Sequence, residues 1–176
     1  YVEMSKRRSV RSFSSEPVPL EVLEKAIHIA GTAPSGAHMQ PWSFCVVTDV
    51  ELRKQIRTAV EKEERLSYQG RMTQAWLDDL SPLGTDHIKP YIEEAPALIV
   101  VFKKVHEVDE GTGQRKPNYY VSESCGIAVG FLLAALHAAG FVALTHTPSP
   151  MNFLAKILGR PDKERAFLNI PVGWPS

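Results

Sequence analysis

A cluster of basic and hydroxyl residues near the N-terminus is the first candidate for chemistry. Three arginines and two serines fall within six residues, namely Arg7, Arg8, Ser9, Arg11 and Ser12. Arginine presents a planar fork of N–H donors that matches the oxygens of a phosphate group. The segment therefore predicts an anion site, although a basic run of this kind is also typical of a solvated surface.

A loop of small residues follows about two dozen positions later. Gly31–Trp42 has the sequence G-T-A-P-S-G-A-H-M-Q-P-W. Its short side chains and free backbone N–H groups allow a flat ring to approach the main chain closely. Taken alone, Pro34, Ser35 and Gly36 are equally compatible with an ordinary turn.

A third candidate combines an acid, a phenol and an amine. Glu64 and Tyr68 are four residues apart, so on a helix they share one face, and Lys89 follows in the same charged segment. An amino-acid zwitterion needs an acceptor for its ammonium and donors for its carboxylate. The alternative is that Glu64 belongs to a solvated charged face and Tyr68 packs against the core.

The elements that position these residues follow from periodicity. The patterns predict helices over residues 21–31, 119–140 and 151–158, and a further helix that begins near Glu51 and is capped by Asp49. They predict strands over residues 42–48, 96–102, 141–145 and 166–173. Residues 103–118 are expected to form a loop. The order predicts one α+β domain over residues 1–176, with helices covering a central sheet.

The segment between the first and second predicted strands has few large apolar anchors. Because little apolar burial holds such a stretch in place, we expect residues 58–92 to form a mobile lid.

Composition excludes several function classes. The 176 residues contain 20 Lys+Arg and 20 Asp+Glu, and a formal net charge of zero argues against nucleic-acid binding. Cys45 and Cys125 are too few for a disulfide framework, and no His or Cys spacing predicts a metal site. No apolar run in the chain predicts a membrane segment. We expect a cytoplasmic protein if the chain is nearly complete, and a membrane-anchored one if an N-terminal anchor has been removed.

The sequences of these segments resemble those of the nitroreductase-like flavoproteins, which carry an R-R-S-x-R-x-F segment followed by an A-P-S-x-x-x-x-P-W loop. Within that superfamily, four segments are similar to the iodotyrosine deiodinase family over nearly the whole chain. They are G-T-A-P-S-G-A-H at Gly31–His38, the segment from Tyr68 to Lys89, the turn Thr145–Pro148, and Leu158–Pro161 with Pro171–Pro175.

The resemblance implies a nitroreductase-like fold, with a mixed and mainly antiparallel sheet, in a domain-exchanged homodimer. It also implies FMN bound at the subunit interface. The residues expected to bind FMN are Arg7, Arg8, Ser9, Val10, Arg11, Pro34, Ser35, Gly36, Thr145, His146 and Thr147. The small-residue helix over 119–140 would suit the interface, although tight packing within one chain explains it as well.

The resemblance also implies specific roles at the reaction site. Thr147 would donate a hydrogen bond to flavin N5, which favours stepwise one-electron transfer over hydride transfer. The alternative is a strand-end Thr that satisfies a backbone carbonyl. His146 stands where some relatives have threonine, and the sequence assigns its side chain no role of its own.

The implied substrate site uses four residues. Glu64 would accept from the substrate ammonium, Lys89 would bind its carboxylate, and Tyr68 would hydrogen-bond to the zwitterion and help to close over it. The backbone N–H of Ala37 would stabilise a substrate phenolate, as a preorganised donor does at an oxyanion site.

The expected function is therefore FMN-dependent reductive dehalogenation of halotyrosines, with iodotyrosine converted to tyrosine and iodide. The electrons would come from an external NAD(P)H-linked donor, because the chain has no G-x-G-x-x-G fingerprint. The alternative is a general FMN nitroreductase that transfers hydride to nitroaromatics or quinones. A third possibility is a protein that binds FMN or halotyrosine without catalysis.

Overall fold

A four-stranded antiparallel sheet forms the centre of the protein, whose computed structural model describes residues 2–176. The strands are β1 (Trp42–Val47), β2 (Ala97–Lys104), β3 (His106–Val108), β4 (Arg115–Pro117), β5 (Val142–Ala143) and β6 (Glu164–Gly173). The helices are α1 (Val2–Ser5), α2 (Leu20–Gly31), α3 (Val50–Leu66), α4 (Gln74–Leu80), α5 (Tyr91–Glu94), α6 (Val121–Ala138) and α7 (Asn152–Ile157). The order in the central sheet is β1-β2-β6-β5.

Helices cover both faces of this sheet. The apolar run of β2 shows why, because its side chains alternate between two cores. Ile99 and Val101 pack in the cluster formed with α2 and α6, whereas Leu98, Val100 and Phe102 pack in the cluster formed with α3, α5 and α7. The predicted α+β arrangement is confirmed, as is the burial of this strand on both faces.

The sheet combines antiparallel and parallel pairing only at the edge formed by β5. All the strand pairings within it are antiparallel, and the parallel contact is an isolated bridge between Ser9 and Ala143. The predicted strand over 141–145 is shorter in the structure, where β5 spans Val142–Ala143 and His146 makes a separate bridge to Asn169.

One predicted loop is wrong. Residues 103–118 contain the hairpin of β3 and β4, whose short polar strands lack the apolar alternation that would have revealed them. Asn118 supports this hairpin, because its Nδ2 donates to the carbonyl of Lys104 over 2.9 Å.

The segment expected to be a lid is firmly anchored at both ends. Asp49 caps α3 by accepting from the Leu52 N–H over 2.7 Å, and Ile56 and Val60 on this helix are fully buried. Tyr91 and Ile92 are also core residues. Between Tyr68 and Ile88, by contrast, every residue is exposed or only partly buried. The structure thus places the poorly buried stretch at residues 68–88, inside the predicted 58–92.

The helix α6 is buried on one side only. Ala128, Leu132 and Leu136 face the protein interior, while Ile127 and Phe131 are exposed. Among residues 2–176 it is also the one helix whose length and mean hydropathy of 1.5 would suffice to cross a membrane. Its packing against α2 and the sheet accounts for the apolar residues on its inner side.

Candidate functional site

A cavity of about 220 Å³ opens where α3, the 68–88 stretch and the segment after β5 meet. It brings together the acid–phenol–amine group, the Thr145–Thr147 turn and Arg11 of the arginine segment. Its lining consists of Arg11, Glu64, Tyr68, Met72, Trp76, Leu80, Thr85, Lys89, Tyr91, Leu144, Thr145, His146 and Thr147.

Glu64 supplies the acid of this cavity from the last turn of α3. Its side chain is only 9% exposed, so its carboxylate needs donors within the protein. Oε1 accepts from the Nε2 of His146 over 3.1 Å, and Oε2 lies 3.9 Å from the Nζ of Lys89. The second distance is an electrostatic contact rather than a hydrogen bond.

Lys89 lies opposite Glu64, with its side chain 4% exposed. Its Nζ donates to the hydroxyl of Thr85 over 3.1 Å and to the carbonyl of Asp86. Burial lowers the pKa of the Lys89 ammonium, and the nearby charge of Glu64 opposes that shift.

Tyr68 completes the group. Its hydroxyl donates to the carbonyl of Thr85 over 3.1 Å, and the Nζ of Lys89 lies 5.6 Å from its ring centroid. Burial raises the pKa of Tyr68, so its hydroxyl stays protonated and available as a donor. The predicted trio therefore shares one cavity, in which Tyr68 and Lys89 both donate to Thr85 while Glu64 accepts from His146.

The Thr145–Thr147 turn forms another wall of the cavity, next to Glu64. His146 exchanges two backbone hydrogen bonds of 2.9 Å with Asn169, so the turn is fixed to the edge of β6. Thr145 and Thr147 are exposed, and the imidazole between them is directed to Glu64. Sequence reasoning missed this contact of His146, because the side to which a strand-edge residue points depends on its register with Asn169.

The arginine segment lies beside β5, which leads into this turn. The N–H of Val10 donates to the carbonyl of Ala143 over 3.3 Å, and Arg11 reaches the cavity itself. Within residues 2–176, none of Arg7, Arg8 and Arg11 forms an ion pair with a carboxylate. Arg8 donates to the backbone carbonyls of Ser5 and Arg7, whereas Arg11 lines the same cavity as the exposed Thr145 and Thr147. Guanidiniums without a carboxylate partner and threonine hydroxyls are donors that fit the phosphate and polyol chain of FMN.

The small-residue loop has a tightly specified shape. Gly36 packs so closely on the start of α6 that a Cβ there would lie 2.9 Å from the carbonyl oxygen of Tyr119 and 3.0 Å from the ring of Tyr120. Its N–H donates to the hydroxyl of Ser124 over 3.2 Å. A larger residue at this position would displace the loop, so glycine is required by close approach.

Ala37 is the exposed donor of this loop. It has a left-handed backbone (φ 49°), as do His38 and Gln40. In the described part of the chain, the N–H groups of Gly36, His38, Met39 and Gln40 all have acceptors, while the N–H of Ala37 has none. The residue predicted to donate to a phenolate therefore presents a preformed, unused donor.

The loop does not meet the rest of the predicted site within one chain. Gly36 and Ala37 lead into β1 at one edge of the sheet, whereas Thr145 and Thr147 follow β5 at the other edge. Three strand spacings separate these edges, about 14 Å. The predicted FMN residues thus form two half-sites on opposite sides of the molecule.

No group of three or more His, Cys, Asp or Glu residues in positions 2–176 is arranged to hold a metal ion. The two thiols, Cys45 and Cys125, are free, and burial raises the pKa of Cys125 to about 11.

The chain is similar in sequence to a known protein family. The profile of the Nitroreductase family matches residues 4–174. The chain is 61% identical over 176 residues to the iodotyrosine deiodinase of Haliscomenobacter hydrossis, covering all of this chain and 79% of that protein. It is 47% identical to iodotyrosine deiodinase 1 of Homo sapiens, again over all of this chain but only 61% of that protein. The chain thus spans less than two thirds of the human relative's length.

The fold has solved counterparts. A crystal structure of oxidized iodotyrosine deiodinase bound to FMN and 3-iodo-L-tyrosine matches with a TM-score of 0.88 and 33% identity, covering all of this chain and 89% of that one. A crystal structure of an oxidoreductase containing FMN matches with a TM-score of 0.72 at 19% identity and shares the fold alone. The motifs, the fold and these relatives together establish that the chain belongs to the nitroreductase family and, within it, to the iodotyrosine deiodinases.

Proposed function

We propose that this chain is an FMN-dependent oxidoreductase that removes iodide from iodotyrosine and acts on related halotyrosines. The observation that carries the proposal is that Glu64 and Lys89 face each other in the same cavity that Thr145 and Thr147 line. A buried acid and a buried amine that face each other at 3.9 Å match the two charges of an amino acid.

Substrate binding is then an exchange of partners. The substrate ammonium replaces Lys89 beside Glu64, and the substrate carboxylate takes the ammonium of Lys89. Tyr68 turns its hydroxyl from Thr85 to the zwitterion. Because these residues flank the poorly buried 68–88 stretch, the exchange orders that stretch over the ligand and excludes water.

The reaction itself needs electrons and a site for the phenol. When bound and reduced, FMN would supply the two electrons that, with one proton, convert the carbon–iodine bond to carbon–hydrogen and release iodide. Thr147 is the hydroxyl that would hydrogen-bond to flavin N5. The unused N–H of Ala37 would hold the phenolate oxygen.

A homodimer resolves the separation of the half-sites. The arginine segment and Thr147 of one chain would bind FMN together with Pro34, Ser35 and Gly36 of a second copy, whose Ala37 would face the substrate. A single chain cannot offer both, because the two groups of residues lie at opposite edges of its sheet.

The exposed side of α6 supplies a suitable interface. Gly126, Ile127, Gly130 and Phe131 recur on this side at helical spacing, and all four are exposed. A Cβ added at either glycine would meet nothing within 4 Å in the chain, so small residues here are not demanded by internal packing. A second helix packed against this face would explain both the glycines and the exposed Ile127 and Phe131.

Reduced holoenzyme separates this function from its alternatives. We expect that anaerobic addition of 3-iodo-L-tyrosine oxidises the bound flavin and releases tyrosine and iodide in equal amounts. Oxidation by a nitroaromatic compound but not by iodotyrosine would identify a general nitroreductase. Binding of iodotyrosine without flavin oxidation would identify a binding protein. The electron donor in turnover is proposed to be an external NAD(P)H-linked reductase.

A further inference from the structure

The carboxylate of Glu64 depends on one hydrogen bond within the protein. Among the described residues, the Nε2 of His146 is the only hydrogen-bond donor to its carboxylate, at 3.1 Å. Lys89 lies at 3.9 Å and directs its N–H groups to Thr85 and Asp86 instead. A carboxylate this buried would otherwise have its charge unsatisfied.

The imidazole is held more firmly than the carboxylate it contacts. His146 is joined to Asn169 of β6 by two backbone hydrogen bonds, and its ring meets the ring of Tyr91 edge to face, with centroids 5.8 Å apart. Its side chain is 11% exposed. Glu64, by contrast, lies in the last turn of α3, immediately before the poorly buried 68–88 stretch.

The tautomer of the imidazole follows from its surroundings. The Nδ1 of His146 is buried and has no hydrogen-bond partner in residues 2–176. A proton on Nδ1 would be a buried donor without an acceptor, so the neutral ring carries its proton on Nε2 and donates it to Glu64. This fixes Oε1 and leaves Oε2 directed toward Lys89.

A second contact ties the same two segments together. The hydroxyl of Ser67 donates to the carbonyl of Ser149 over 3.3 Å, one turn beyond the contact between Glu64 and His146. The end of α3 is therefore attached to the turn that carries Thr147 at two successive points.

We propose that His146 is a positioning residue for substrate recognition, which acts through Glu64. It holds Oε1 against the sheet edge, so that Oε2 is presented to the ammonium of the bound halotyrosine when Lys89 turns to the substrate carboxylate. It also sets the distance between this ammonium site and Thr147, its neighbour in the chain. The inference rests on the proposed function and adds to it a role for the imidazole of His146, a side chain to which the sequence assigned none.

The test compares ligands that differ only in the ammonium. Dissociation constants are measured by flavin fluorescence in oxidised holoenzyme, for 3-iodo-L-tyrosine and for 3-(4-hydroxy-3-iodophenyl)propionate, which lacks the amine. In H146L we expect the affinity for iodotyrosine to fall about tenfold or more, the size expected when a charged group loses a hydrogen bond. The affinity for the propionate should change little. H146Q, which keeps a side-chain N–H donor, should restore most of the preference.

A double-mutant cycle shows whether His146 acts through Glu64. We expect H146L to cause no further loss in the E64Q background, because the positioned charge is already gone. The inference would be overturned if H146L lost affinity equally for both ligands, so that its preference was unchanged. It would also be overturned if the losses in affinity from H146L and E64Q were additive. If the unmodified protein itself shows no preference for iodotyrosine over the propionate, the proposed function fails instead, so the two failures are distinguishable.

Discussion

Glu64 and Lys89 face each other across the cavity with Oε2 and Nζ 3.9 Å apart, and their side chains are only 9% and 4% exposed. Neither charge is neutralised by a close ion pair, because Lys89 donates to Thr85 and Asp86 while Glu64 accepts from His146. A zwitterion placed between them would provide each with an opposite charge. Both groups can therefore exchange partners with a zwitterion without breaking a close ion pair between them.

The acid of this pair should control substrate selectivity. We expect E64Q to raise the KM for iodotyrosine by roughly 10- to 100-fold, the effect of removing a charge-assisted hydrogen bond to the ammonium. Reduction of a nitroaromatic compound, which has no ammonium, should be nearly unchanged. Steady-state kinetics with both substrates measures the difference.

E51Q is the matched control, since Glu51 lies exposed in the first turn of the same helix. Equal loss of both activities in E64Q would show that Glu64 supports the fold or the flavin rather than the substrate.

The buried amine should make stability depend on alkaline pH. Burial lowers the pKa of Lys89 in the folded protein below the value of an unfolded lysine, near 10.4. Between these two pKa values the unfolded chain binds more protons, so the free energy of unfolding contributed by Lys89 rises as pH increases through that window. Relative to K89M, the unmodified protein should gain stability on going from pH 7 to pH 10.

Urea denaturation of both proteins at the two pH values measures this difference, with K89M correcting for all other titrating groups. A constant difference, or one that moves in the opposite direction, would contradict the burial of a charged Lys89.

The exposed face of α6 gives a test of the dimer. A side chain at Gly130 meets nothing within 4 Å in the chain, and replacing a helical glycine favours the helix itself. G130E should therefore fold, but its charge would be buried at the proposed interface. We expect a monomer that has lost FMN, as measured by sedimentation velocity and flavin absorbance.

K54E carries the same new side chain on the exposed face of α3 and should remain dimeric with FMN bound. A G130E dimer that retains FMN would place the interface elsewhere.

The loop that carries Ala37 should tolerate no side chain at Gly36. The Cβ of G36A would lie 2.9 Å from the carbonyl oxygen of Tyr119, so the loop must move. We expect a loss of about 1–3 kcal/mol in the free energy of unfolding, typical of overpacking, and weaker retention of FMN. Thermal unfolding and flavin content measure these effects.

G31A serves as the control, because a Cβ at Gly31 meets nothing within 4 Å. If G36A matched G31A in both stability and flavin content, that result would contradict the proposed contact of this loop with the cofactor.

The sequence predicted the elements that have a clear local signal, such as a run of apolar residues or a capping residue. The two-sided burial of β2 and the Asp49 cap of α3 are examples, since both depend on local pattern. The hairpin of β3 and β4 was missed because its polar strands have no apolar alternation. The bounds of the poorly buried stretch could not be predicted from the sequence either, because the burial of Val60 and Tyr91 depends on contacts with distant elements.

The candidate site divides in the same way. Spacing suggested that Glu64 and Tyr68 share a face, and the structure places both in the cavity with Lys89. The contact of His146 with Glu64 joins residues 82 positions apart and leaves no local signal. The separation of the two FMN half-sites follows from the strand order, which no single segment of the sequence records.

The most direct test of the account is a redox titration of the purified holoenzyme with and without 3-iodo-L-tyrosine. If the Glu64–Lys89 cavity binds the zwitterion and brings Thr147 to flavin N5, reduction should separate into two one-electron steps only when the ligand is present. The separation should disappear in T147A. A single two-electron reduction under both conditions would contradict the account and favour a nitroreductase that transfers hydride.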